Sequence, residues 1–127
     1  MEATVIVTFL ALAQYVLFGI MVGSMRQKYS VPAPQETGPE PFERMNRVHL
    51  NTAEQLIVFI PALWMHALYA SPLYGAIIGL FFIAGRFIYR AAYLKDPGSR
   101  GTGFTMTFVS SAVLLIWALV AAILEMI

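Results

Sequence analysis

The stretch FERMNRVHLNTAEQ, Phe42 to Gln55, runs without a break into LIVFIPALWMHALYA, Leu56 to Ala70. At the helical rise of 1.5 Å per residue the apolar part covers only about 22 Å, short of the roughly 30 Å hydrocarbon core of a bilayer. A helix that crosses completely must therefore begin earlier. Asn51 and Glu54 then lie at or just inside the membrane boundary, with Arg47 about one turn nearer the water. Arg47, Asn51, Glu54 and Gln55 stand at i, i+4, i+7 and i+8, so they share one helix face as a polar stripe.

Composition supports a membrane setting. Of 127 residues, 59% are hydrophobic and 12% charged, and the mean hydropathy is +0.72. That leaves too little polar surface to coat a water-soluble globule. A net charge of +1, with no basic tract and no glycine-rich phosphate loop, argues against a nucleic-acid partner. The absence of cysteine excludes disulfides, thiolate metal sites and a cysteine nucleophile, and no metal site is expected.

Four apolar segments follow one another, which predicts an all-α integral membrane four-helix bundle with a single domain over 1–127. The spans are placed at about 3–25, 43–70, 73–94 and 103–126. The first could be taken for a signal peptide, but Glu2 precedes it, no Lys or Arg does, and the apolar run is too long. Between spans one and two lies a polar, proline-rich loop carrying Pro32, Pro34, Pro39 and Pro41. Spans two and three are joined by the tight turn ASPLYG, and spans three and four by KDPGSRGTG. Arg26, Lys28, Arg44 and Arg47 flank the first loop, and Arg86, Arg90, Lys95 and Arg100 gather around the third. The positive-inside rule puts both loops in the cytoplasm and both termini on the opposite face. The choice between a bacterial inner membrane and the endoplasmic reticulum stays open.

Span three repeats the device of span two. Arg86, Arg90 and Tyr93 stand at i, i+4 and i+7, with Tyr89 one turn from Arg86. A charge at membrane depth costs about 2.5 to 3.5 kcal/mol on insertion scales and turns towards protein, a ligand or water. Two such stripes near one boundary imply a shared polar pocket. A structural ion pair, Arg47 with Glu54 or Arg86 with Glu54, explains the same spacing. Arg90 reads as an interface anchor, His66 as an interfacial residue near the far end of span two, and Gln14, Trp64 and Trp117 as packing or interface residues. Pro61 is expected to kink span two.

The strings TGPEPFERMNRVHLNTAEQ and GRFIYRAAYLKDPGSR carry a resemblance. Together, E-R-x-x-R-x-x-x-N-x-x-E opening span two, R-x-x-Y-x-x-x-Y closing span three and an arginine in the next loop resemble the MAPEG family, the membrane-associated proteins in eicosanoid and glutathione metabolism. The likeness covers nearly the whole chain and leans to its glutathione-transferase members. It implies a homotrimer with glutathione, as co-substrate, bound at each subunit interface near the cytoplasmic boundary. It implies that Arg47, Asn51 and Glu54 hold glutathione from span two and that Tyr89 and Tyr93 contact it from span three; Gln55 and Arg86, on the same two stripes, are further candidates to bind it. Arg26 and His49 are implied to reach in from a neighbouring subunit, and Arg100 to be the catalytic arginine that activates the thiol. The second substrate implied is a hydrophobic small-molecule electrophile arriving from the lipid bilayer, and whether peroxide reduction accompanies conjugation stays open. The chain departs from eicosanoid-specialised members at Gln55, where a tyrosine stands in one, and at Gly101, where a serine stands in another.

The implied roles make chemical sense. Glutathione presents two carboxylates and one ammonium, which Arg26, Arg47, Arg86 and Glu54 match. Lowering a thiol pKa from near 8.5 by about two units takes roughly 2.7 kcal/mol of preferential anion stabilisation. An arginine supplies that as an electrostatic stabiliser rather than as a base. Two other classes fit less well. A non-catalytic lipid-binding MAPEG protein would have no need of Arg100. A small multidrug transporter would carry a glutamate inside span one, and Ala3 to Met25 has no charge.

Overall fold

Local turn chemistry writes each of the three chain reversals. The computed structural model describes residues 1–127, and its first helix, α1 (Glu2–Tyr29), ends at Ser30. Ser30 adopts the left-handed conformation (φ 57°, ψ 43°), and the N–H groups of both Ser30 and Val31 return to the Arg26 carbonyl. Helix α2 (Glu40–Tyr69) opens with Pro41 in its first turn, while the Glu43 carboxylate accepts from the Gly38 N–H at 3.1 Å. Only Ala70 and Ser71 separate α2 from α3 (Pro72–Lys95). The Ser71 hydroxyl caps α3 by accepting from the Tyr74 N–H at 3.2 Å. A short 3-10 turn, Pro97–Ser99, leads into α4 (Gly101–Met126). Asp96 Oδ1 accepts from the Gly98 N–H, and the Ser99 hydroxyl donates to the Ala92 and Asp96 carbonyls.

The expected all-helical architecture is the one observed, and the protein is an integral membrane protein. Helices α1, α3 and α4 are each long and apolar enough to cross a bilayer. Helix α2, the longest at 30 residues, is not among them, because its first half carries the charged stripe. It continues through Pro61 without interruption. Large apolar side chains such as Phe9, Ile20, Ile57 and Ile116 stand exposed on the outer faces, as a lipid-facing surface requires.

Helices α2 and α3 each pack against all the others, with α1 and α4 on either side of that central pair. The interior is layered. One apolar cluster holds Val7, Ala11, Phe59, Leu63, Phe82 and Leu114, with the Phe59 and Phe82 rings stacked 3.8 Å apart. A second, at the end that carries the proline-rich loop, holds Phe18, Val22, Val31, Phe42, Met45, Val48 and Tyr89. Between them, in chain order on every helix, lies a belt of buried polar residues: Gln14 on α1, Asn51 and Thr52 on α2, Arg86 on α3 and Thr107 on α4. Gln14 donates to the Ile83 carbonyl at 3.0 Å, tying α1 to α3.

Two close helix approaches depend on glycine. A Cβ on Gly103 of α4 would lie 2.4 Å from the Tyr89 nitrogen, and one on Gly85 of α3 would lie 2.8 Å from the Met106 Cβ. The α3 and α4 backbones therefore touch beside Arg86 and Tyr89.

His66 corrects the sequence reading. Rather than lying at an interface, it is fully buried, edge-on to Trp117 with ring centroids 4.5 Å apart and pressed against Gly75. The tight α2–α3 turn folds the neighbouring helices over it. Trp64 donates its indole N–H to the Thr8 hydroxyl at 3.0 Å, a packing role within the bundle.

Candidate functional site

Four of the sequence-selected residues meet where α2 crosses α3. Arg86 is fully buried, at 0% exposure, and its Nη2 donates to Asn51 Oδ1 and Thr52 Oγ1, both at 2.9 Å. Its guanidinium carbon lies 4.3 Å from the centroid of the Tyr89 ring, a favourable cation–π arrangement. The Tyr89 ring in turn stacks on Tyr93, with centroids 5.6 Å apart. Arg86 Nε and Nη1 have no partner. The alternative pairing of Arg86 with Glu54 is not made.

Glu54 instead pairs with Arg47, with Nη1 to Oε1 at 3.0 Å and Nη2 to Oε2 at 3.4 Å. The two side chains are 48% and 52% exposed, so this is a solvent- or partner-facing pair and not an enclosed one. Glu54 and Gln55 form the polar edge of a groove between α2 and α4 of about 500 Å³, otherwise lined by apolar side chains including Phe104, Phe108 and Leu115. Ser111 also lines it, with a buried hydroxyl that has no partner.

The remaining selected residues lie apart from this cluster within one chain. His49 faces α1, where its ring stacks on Tyr15 at 4.4 Å between centroids and packs over Gly19. Arg26 donates to the Gln35 carbonyl at 2.6 Å and the Pro32 carbonyl at 3.4 Å and lies over the Phe42 ring. It thus fastens the proline-rich loop. Arg100 is exposed and stands at the N-terminal boundary of α4, its side chain making one hydrogen bond, 2.8 Å to the Pro97 carbonyl.

Sequence reasoning passed over Thr52 and Arg44. Thr52 stands next to Asn51, turned about 100° further around the helix, and is apolar enough in outline to pass for packing. Arg44 was read only as a loop-flanking cation. It donates to the Leu94 and Lys95 carbonyls at 3.0 and 2.9 Å and also pairs with Glu40, so it ties the start of α2 to the C-terminal carbonyls of α3. The motif carried a signal for both, since Arg44 is one of its named positions and Thr52 lies between Asn51 and Glu54.

A buried guanidinium, stacked tyrosines and a half-exposed ion pair thus gather at one end of a multi-pass helical membrane protein, beside an apolar groove. A sequence profile described as the MAPEG family matches residues 4–120. The chain belongs to the MAPEG family. It is 39% identical to an uncharacterised Synechocystis protein over 95% of this chain and 88% of that one. It is 35% identical to human microsomal glutathione S-transferase 2 over 85% of this chain and 74% of that enzyme. It is also similar to mouse leukotriene C4 synthase, at 30% identity over 91% of this chain and 73% of that enzyme. The family to which it belongs thus includes glutathione-related membrane enzymes.

Proposed function

We propose that the protein is a membrane glutathione transferase that binds glutathione as co-substrate and activates its thiol as thiolate for attack on an apolar electrophile. One observation carries this reading beyond the family resemblance. Asn51, held by Arg86, and the half-exposed Arg47–Glu54 pair occupy one face of α2. They present a donor, a cation and a carboxylate to a ligand that itself offers carboxylates and an ammonium. Glu54 receives the ammonium, Arg47 and Asn51 receive carboxylate or carbonyl oxygens, and Tyr89 and Tyr93 flank the site from α3. The groove edged by Glu54 and Gln55 admits the electrophile from the lipid side.

Arg26 and His49 lie on the α1 side of α2, away from the Glu54–Gln55 groove on the α4 side. They complete a site only for a neighbouring copy, which is the reason for proposing a homotrimer with the site shared between subunits. Arg100 stabilises the thiolate: the proton leaves to solvent, the sulfur forms a bond to the electrophilic carbon, and the leaving group departs with the displaced electron pair. The proposed orientation puts the proline-rich loop, the Asp96–Arg100 turn and the site on the cytoplasmic side, with all four helices crossing and both termini opposite.

The test is direct. Purified protein in detergent is incubated with glutathione and chlorodinitrobenzene, and the conjugate is identified by mass. Conjugate formed above the uncatalysed rate supports the reading. The absence of both turnover and glutathione binding overturns it.

A further inference from the structure

We propose that Arg86 is a positioning residue that never needs to touch ligand: with Thr52 as its second anchor, it fixes the Asn51 amide so that only hydrogen-bond donors face the site. The inference rests on the glutathione reading above and deepens it by assigning what Asn51 recognises.

The argument begins with donor and acceptor chemistry. A guanidinium only donates. The Asn51 atom 2.9 Å from Arg86 Nη2 must therefore be the carbonyl oxygen, and the amide NH₂ is turned the other way. That NH₂ makes no hydrogen bond within the chain, yet it is not among the enclosed orphan atoms, so it keeps access to an outside partner. It lies on the same helix face as Arg47 and Glu54. Thr52 completes the lock. Its hydroxyl donates to the Val48 carbonyl at 2.8 Å, which leaves its lone pairs for Arg86 Nη2. One NH₂ group of Arg86 thus spans two neighbouring residues of α2, while Tyr89 covers the guanidinium from its own helix.

A fully buried cation facing two neutral oxygens and a ring, with Nε and Nη1 unpartnered, is an expensive way to join two helices. Packing alone would be served better by an apolar side chain. The arrangement makes sense where a fixed amide polarity is required. Asn51 then selects a ligand acceptor, a carboxylate or carbonyl oxygen, and rejects a donor such as the ammonium, which is left to Glu54.

Asn51→Asp tests this in the full-length protein in detergent. The new carboxylate pairs with Arg86, so thermal stability should hold or rise, while the outward atom changes from donor to acceptor. Glutathione Kd, measured by calorimetry, should weaken about ten- to a hundredfold, the range for losing one hydrogen bond to a charged group. Thr52→Val and Thr52→Ser provide an independent arm. Valine should weaken glutathione binding severalfold and serine should restore it, because the hydroxyl and not the shape holds Arg86. Asn51→Asp protein that binds glutathione as wild type does, or a Thr52→Val variant that loses thermal stability with Kd unchanged, overturns the proposal. Wild-type protein that binds no glutathione overturns the parent reading as well. Binding by wild type with no difference among the variants overturns only this inference.

Discussion

Gly103→Ala probes whether the α3–α4 backbone contact sets the position of the turn that carries Arg100, the proposed thiolate stabiliser. The added Cβ would lie 2.4 Å from the Tyr89 nitrogen, 2.5 Å from the Tyr89 Cα and 2.8 Å from the Gly85 carbonyl oxygen, all of them backbone atoms that no side-chain rotation can move aside. Restoring an ordinary contact of at least 3.4 Å needs the helices to part by about 1 Å. Overpacking of this kind costs about 1 to 3 kcal/mol. Arg100 begins α4 three residues before Gly103, so it moves with that end of the helix. A misplacement of about 1 Å can reduce a catalysed rate by roughly a hundredfold. Gly101→Ala is the matched control, since a Cβ there meets nothing within 4 Å. The assay pairs detergent thermal unfolding with titration of bound glutathione thiolate by its absorbance. Gly103→Ala should lower stability and raise the bound thiol's pKa, with Gly101→Ala close to wild type. If Gly103→Ala matches wild type in both measurements, the contact neither strains the bundle nor places Arg100.

Arg100→Ala should leave glutathione affinity within a few-fold but raise the pKa of the bound thiol towards the free value of about 8.5, cutting turnover at neutral pH by about ten- to a hundredfold. Because the lost group favoured the anion, activity should recover as pH rises past that value, and superimposable thiolate titrations would remove Arg100 from the mechanism. Glu54→Gln should weaken glutathione binding by about 1.5 to 3 kcal/mol. Its stability should change by no more than about 1 kcal/mol, because the Arg47–Glu54 pair is half exposed; calorimetry and thermal unfolding separate the two effects. Phe82→Ala opens a cavity against Phe59 and should destabilise the bundle, though by less than the roughly 3 to 5 kcal/mol of a water-soluble core, since lipid is itself apolar. A reporter fused after Ile127 should be active only on the non-cytoplasmic side, and cytoplasmic activity would invert the proposed topology.

The sequence made the helices legible because lipid leaves the backbone few options. Apolar runs of sufficient length, broken by proline and glycine, mark them directly. The grouping of Asn51, Arg86, Tyr89 and Tyr93 was also legible, since helical spacing turns each set to one side and their depth brings them to the same level. Partner choice within the group was not. Arg86 had Glu54, Asn51 and Thr52 within plausible reach of α2, and helix rotation alone decides among them: it turns Asn51 and Thr52 inward and leaves Glu54 at the edge. His66 escaped for a related reason. Periodicity along α2 does not reveal that Gly75 opens the space on α3 into which the ring packs.

The two-residue link between α2 and α3 has a consequence for biogenesis. As the chain leaves the ribosome, α1 partitions into the bilayer unaided, but the first half of α2, with Glu40, Glu43, Arg44, Arg47 and Glu54, resists doing so. If α2 crosses as proposed, its insertion is coupled to that of α3, whose apolar first turns follow immediately after Ala70 and Ser71 and carry the turn across as the tip of a hairpin. Under the proposed topology, lengthening the link with a flexible spacer should therefore strand α2 on the cytoplasmic side during synthesis, even if the finished bundle accommodates the extra residues.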